Sequence, residues 1–264
     1  MEIPLVNAGM ELVESNHLSI SRTEYVPRLY AIIPKAFMVP GPLPEWQDTK
    51  CYYLCTPAMG ASFLECRLKI FKDGGTKEAI VSPYESFLFM LDGEAEVNIA
   101  GKNYHMEKEG FCYIPPMTDF TVKNKKCEET SLLWIRKKYI PTKFYPMPDV
   151  LVSSTLDIPV TRTTAEKVQM CLPESDLRYD MGCNIMAFDP GVTFPCTEMH
   201  VFEHGEYVLN GRASIFLNGT HHEMMPEDFV YINAFCPHYV TTYGPGEMRY
   251  LLYKDLSRDY SLEK

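Results

Sequence analysis

The chain has 264 residues, of which 46 % are hydrophobic and 23 % charged, with a formal net charge of −10 at pH 7. That length allows one large or two smaller domains around a sizeable core. The acidic balance, without a basic run, excludes nucleic acid and anionic membrane as main partners.

No stretch approaches the roughly 18 consecutive apolar residues of a membrane span. The opening MEIPLVNAGMELVESN lacks the basic and apolar regions of a secretory signal, so a cytoplasmic location is expected. The nine cysteines form no CxxC and read as reduced thiols packed as small hydrophobes.

In chain order, residues 1–50 read as an N-terminal extension packing on the rest of the chain. Short alternating runs then recur: CRLKIF (66–71), EAEVNI (94–99), FCYIPP (111–116), RASIFL (212–217), DFVYIN (228–233) and RYLLYK (249–254). Bounded by Gly, Pro, Asn and Asp, they predict strands of an all-β sandwich or barrel.

The chain also repeats itself. The segment from Tyr84 aligns without a gap on the segment from Phe202, at a constant offset of 118 residues. Glu85 falls on Glu203, Gly93 on Gly211, Ala95 on Ala213, Gly101 on Gly219 and Met106 on Met224. Glu109 falls on Glu227, Phe111 on Phe229, Tyr113 on Tyr231 and Ile114 on Ile232. The glycines fall where hairpins need positive φ. Two copies of one β-domain are expected, at 51–138 and 161–264. A linker at 139–160, containing the Pro-rich YIPTKFYPMPD (139–149), joins them.

The second copy carries Glu198, His200 and His204 ahead of Gly211, and His238 after a later strand. Residues i and i+2 of a strand share a face, so Glu198 and His200 should project together, with His204 returning to that face. His238 is expected at the end of a strand pairing beside the first. An imidazole-and-carboxylate set suits a divalent ion such as Mn, Fe, Co, Ni or Zn. The same offset maps these four residues onto Ile80, Ser82, Ser86 and Phe120. Residues needed to form the barrel would appear in both copies, so a metal site is expected in the second barrel alone. His221 and His222 read as a solvated turn, and His17 and His105 have no evident partners.

Two turn-rich β-repeats with this ligand spacing resemble the cupin superfamily, which implies a bicupin of two jelly-roll barrels. GASF (60–63), the glycines at 74–75, YIPP (113–116), KKYIP (137–141), TEMHVFEHG (197–205) and YLLYKD-x-x-RD (250–259) resemble (S)-ureidoglycine aminohydrolases. That resemblance implies an Mn2+-dependent hydrolase of linear C–N bonds that releases ammonia from ureidoglycine in purine degradation. It implies Glu198, His200 and His204 as ligands, with His238 standing where the family has Gln. It places Lys254 and Tyr250 in the substrate pocket and Ile215 where the family has a second tyrosine. Glu198 would serve in catalysis as well as in metal binding. The resemblance also implies a small anionic substrate and a homo-oligomer. The residues alone leave open another metal-dependent cupin enzyme (isomerase, lyase or dioxygenase) and a non-catalytic binding bicupin.

Overall fold

The computed structural model describes residues 22–255. His17, Arg258 and Asp259 lie outside them. Strands dominate, and the helices among the described residues are three short 3-10 turns, Lys35–Phe37, Pro57–Met59 and Thr155–Asp157. The all-β, two-barrel expectation is borne out.

In the first barrel the strand Glu129–Lys138 lies between Tyr84–Asp92 and Phe63–Thr76, and Phe63–Thr76 also carries Trp46–Cys55 on its other side. In the second barrel His204–Asn210 lies between Phe229–Ile232 and Met248–Asp255, within an eight-stranded sheet. A three-stranded sheet, Thr220–Met224, Arg212–Leu217 and His238–Tyr243, completes that barrel.

Strand alternation sorts the side chains into three cores. Leu88, Met90, Trp134 and Phe120 fill the first barrel. Val208, Ile215, Val230 and Leu252 fill part of the second. Phe63, Phe87, Phe89, Phe111 and Tyr113 of the first barrel meet Tyr207, Phe229, Tyr231, Leu251 and Tyr253 of the second in a shared aromatic layer. The rings of Phe63 and Tyr253 sit 4.0 Å apart there.

The segments leading into each barrel are exchanged. Tyr30–Ile33, which precedes the first barrel, pairs with Phe229–Ile232 of the second. Leu151–Ser154, which precedes the second, pairs with Gly110–Ile114 of the first. Each segment covers a sheet edge that would otherwise present unpaired backbone groups.

Polar ties cross the same interface. Arg67 of the first barrel pairs with Glu227 of the second. Arg249 of the second holds Glu109 of the first through two hydrogen bonds, at 3.0 and 3.1 Å. Glu109 and Glu227 are repeat equivalents and share a left-handed φ of 70°. The repeated Glu–Tyr pairs are also explained: Tyr113 donates to Glu85 at 2.7 Å and Tyr231 to Glu203 at 3.0 Å.

Glu65 is wholly buried in this layer, and burial pushes its carboxyl up to about 8. It lies against Gly205, where an added Cβ would sit 2.8 Å from Glu65 Oε2 and 3.0 Å from the Phe63 ring. The folded chain thus holds a proton on Glu65 at pH values where the unfolded chain has lost it. Its contribution to stability is whole below about pH 4.5 and falls as the pH rises towards about 8. Glu65→Gln keeps the shape without the ionisation. Its unfolding temperature should match wild type near pH 5 and exceed it by several degrees near pH 8, as measured by thermal unfolding across that range. Equal pH profiles for the two proteins would refute this.

Candidate metal centre

Glu198 and His200 do not lie on a strand. Thr193 bridges Thr241 and Glu198 bridges His238, but Pro195 and Cys196 bulge out between the two bridges. Proline has no N–H to continue a ladder, so the strand expected through Glu198 and His200 becomes a loop with one antiparallel bridge. That bridge is tight. Glu198 N donates to His238 O at 2.8 Å, and His238 N donates to Glu198 O at 2.9 Å. His200 O accepts from Phe235 N at 2.7 Å.

The first barrel repeats this backbone. Ile80 bridges Phe120, and Ser82 O accepts from Met117 N at 2.7 Å. The offset read from sequence therefore holds in the fold, and one backbone frame carries different side chains in the two barrels.

His238 is also placed differently from expectation. It opens the strand His238–Tyr243 in the three-stranded sheet, whereas the strand pairing beside His204 is Phe229–Ile232. The turn at Phe235, with φ of 62°, carries the chain across the barrel mouth between them.

Three imidazoles converge. Ring centroids are 4.7 Å apart for His200–His204, 4.9 Å for His200–His238 and 5.2 Å for His204–His238. Each offers a nitrogen within 4.8 Å of the others. Glu198 Oε2 lies 3.9 Å from His238 Nε2. Nδ1 of His238 faces the Cys236 carbonyl at 2.9 Å, and Nδ1 of His200 faces the Phe202 carbonyl at 3.1 Å. A carbonyl only accepts, so each Nδ1 carries a proton, and a neutral ring so held keeps its lone pair at Nε2.

Burial lowers His204 to about 3 and His238 to about 4, so both rings are neutral near pH 7. Burial also raises the Glu198 carboxyl. The His238 Nε2 lone pair is buried without a hydrogen-bond partner. Neutral imidazole nitrogens and a carboxylate around such a lone pair fit a divalent cation.

The cavity beside them has an empty volume of about 420 Å³, its open mouth included. Tyr250 and Ile215 line it. Burial pushes the Tyr250 phenol well above its ordinary value, so it remains a hydrogen-bond donor. Lys254 sits across the sheet from His204 and pairs with Glu174.

Three carboxylates escaped the sequence reading. Glu206 is buried two residues beyond His204 on the same strand face, and burial pushes it up to about 7. Its place as i+2 to a candidate ligand, with Leu88 at the equivalent position of the first copy, was a signal available in the sequence. Glu166 lines the cavity and is raised by burial and by Glu198. Neither Glu166 nor Glu174 carries a local motif, because the fold brings them in from outside the repeat.

Of the other histidines, His222 is not solvated. It is buried in Thr220–Met224, its ring centroid 5.4 Å from that of Tyr30 and its Nδ1 3.5 Å from Glu24. The exchanged N-terminal segment covers it, which no local sequence signal shows. His221 is exposed, within reach of Ser214 and Tyr239. His105 is exposed between Glu94 and Glu107.

The Cupin domain family model matches residues 68–136, which is the barrel without the histidine set. The "Probable (S)-ureidoglycine aminohydrolase" of Oryza sativa subsp. japonica is 31 % identical over 235 residues, covering 88 % of this chain and 74 % of that protein. The (S)-ureidoglycine aminohydrolase of Escherichia coli K12 is 25 % identical over 88 % of this chain and 90 % of its own length. A crystal structure of a glyoxylate-induced protein from Pseudomonas aeruginosa superposes with a TM-score of 0.84 at 34 % identity, covering 91 % of this chain and 94 % of that one. Oxalate decarboxylase of Bacillus subtilis shares the fold alone, with a TM-score of 0.67 at 12 % identity over 90 % of this chain and 80 % of that one. With a two-barrel frame in common and identity above 30 % along most of both sequences, the chain belongs to the (S)-ureidoglycine aminohydrolase family.

Proposed function

We propose that the second barrel holds one divalent metal ion through Glu198, His200, His204 and His238, Mn2+ being the ion the family resemblance implies. On this reading the chain hydrolyses (S)-ureidoglycine to ureidoglycolate and ammonia, as part of purine degradation. The observation that carries it is the convergence of three imidazoles, with a carboxylate beside one of them, in one barrel of a family member. The twin barrel has Ile80, Ser82, Ser86 and Phe120 on the same frame.

The reaction breaks one C–N bond. Water gives its oxygen to the carbon bearing the amine, the carboxylate and the ureido group, and ammonia leaves. A bound divalent ion supplies positive charge that polarises substrate and water. The chain's own groups divide the remaining work. Lys254 pairs with the substrate carboxylate as a point charge, exchanging it for Glu174. Glu166 and Glu198 flank the cavity and accept or return protons at the departing amine, their carboxyls raised above the ordinary value by burial. Tyr250 donates a hydrogen bond from the cavity wall. The apolar walls, Ile215 among them, limit water and strengthen these charges. Cytoplasmic location and a homo-oligomeric state belong to the same proposal. Among the described residues no helix is long and apolar enough to cross a membrane.

His200→Ala should lose bound metal and ammonia release together, read by metal analysis and an ammonia assay on freshly generated ureidoglycine. Full activity in a metal-free His200→Ala protein would refute the metal-dependent reading. Lys254→Ala should keep its metal and lose about 10- to 100-fold in kcat/KM, the scale of one hydrogen bond to a charged group. Wild-type turnover in Lys254→Ala would remove the lysine from the site. No ammonia from metal-loaded wild type would remove ureidoglycine as the substrate.

A further inference from the structure

The three imidazoles are not anchored alike. His200 and His238 each have a backbone carbonyl at Nδ1, at 3.1 and 2.9 Å. His204 has none. Its Nδ1 is buried without a hydrogen-bond partner, and Glu206 Oε1 faces it at 3.6 Å from the same strand.

The surroundings of Glu206 are specific. Its cross-strand neighbours are Val230 and Leu252, both apolar, and its carboxylate opens on the cavity shared with His204 and His238. The nearest cation across the sheet, Lys254, is already held by Glu174. In the first barrel the equivalents of His204 and Glu206 are Ser86 and Leu88, so imidazole and carboxylate are absent together.

Resting on the metal centre proposed for the second barrel, we infer that Glu206 is a positioning residue: its carboxylate accepts the Nδ1–H of His204 and fixes the tautomer whose Nε2 faces the ion. A carboxylate in this place orients the ring and makes it a stronger donor to the metal. The barrel thus anchors its three rings with two backbone carbonyls and one side chain, and the side chain serves the ring carried on a strand with neighbours on both sides.

The test uses the full chain with Mn2+ and Zn2+ as probes, on Glu206→Leu and Glu206→Gln. Metal affinity is read by chelator competition. The histidine tautomers are read by 15N–1H NMR of the Zn2+-loaded protein, and folding by the unfolding temperature of the metal-free protein. Glu206→Leu should bind about 10- to 100-fold more weakly and lose the single Nδ1–H form of His204. Its metal-free unfolding temperature should hold or rise, because a buried carboxylate has been removed. Glu206→Gln keeps an acceptor oxygen and should recover part of the affinity.

Unchanged affinity in Glu206→Leu overturns the inference alone, provided wild type binds metal. So does weaker binding with His204 still in the Nδ1–H form, which would make Glu206 a direct ligand. A lower metal-free unfolding temperature also overturns it, as the mark of a structural residue. Wild type that binds neither ion overturns the metal centre and this inference together.

Discussion

The two barrels press equivalent faces of equivalent sheets together, so strands at the contact are buried on both sides. In Tyr84–Asp92, Phe87 and Phe89 enter the shared layer while Leu88 and Met90 enter the first barrel. In His204–Asn210, Tyr207 enters the shared layer while His204, Glu206 and Val208 face the second barrel's interior. Burying one large apolar side chain contributes about 1.5–3 kcal/mol. A buried polar group without full hydrogen bonding costs about 1–3 kcal/mol. A few aromatics of the shared layer therefore offset the polar groups of the second interior. The first barrel holds apolar Ile80 and Phe120 at the equivalent frame positions.

The same contact fixes where the site can stand. Gly205 follows His204 directly and lies against Phe63 and Glu65 with no room for a Cβ. That close approach clamps the strand from behind while His204 looks inward. Glu198 and His200 lie on a loop, which is ordinarily a poor base for a site. Here the paired Glu198–His238 bonds and the Phe235-to-His200 bond hold it, and they recur in the barrel without the histidines. The same backbone frame thus forms with and without the histidine set.

Much of this was legible in the sequence because the repeat is literal. A gapless offset fixed the hairpins, and the predicted runs 94–99 and 212–217 coincide with strands Glu94–Ile99 and Arg212–Leu217. The convergence of His200, His204 and His238, with Glu198 beside His238, was legible for the same reason, although the strand assumed to carry Glu198 and His200 is a bulged loop. What stayed hidden depends on contacts between segments far apart. The exchange of Tyr30–Ile33 onto the second barrel leaves no periodic mark, and Tyr30 together with Glu24 covers His222, which reads as a turn residue in sequence. Glu206 was legible in principle. In GEYVLN it reads as a solvent-facing polar residue until the strand is known to be buried on both faces.

The rim cations of the two barrels are held differently on one frame. Arg136 and Lys254 are repeat equivalents. The Arg136 guanidinium sits over the Trp134 ring, 4.0 Å from its centroid, and Leu252 replaces that tryptophan in the second barrel. Lys254 instead pairs with Glu174, whose carboxylate also accepts from Asn184 at 2.9 Å. The two ion-pair partners keep 20 % and 29 % of their side-chain surface in solvent. A pair that wet is worth little, about 0–1 kcal/mol. On the role proposed for Lys254, a substrate carboxylate would displace Glu174 at small cost, while Asn184 would still satisfy the glutamate that is released. Electrostatic capture of an anion, as proposed here, would then need only the exchange of one carboxylate for another.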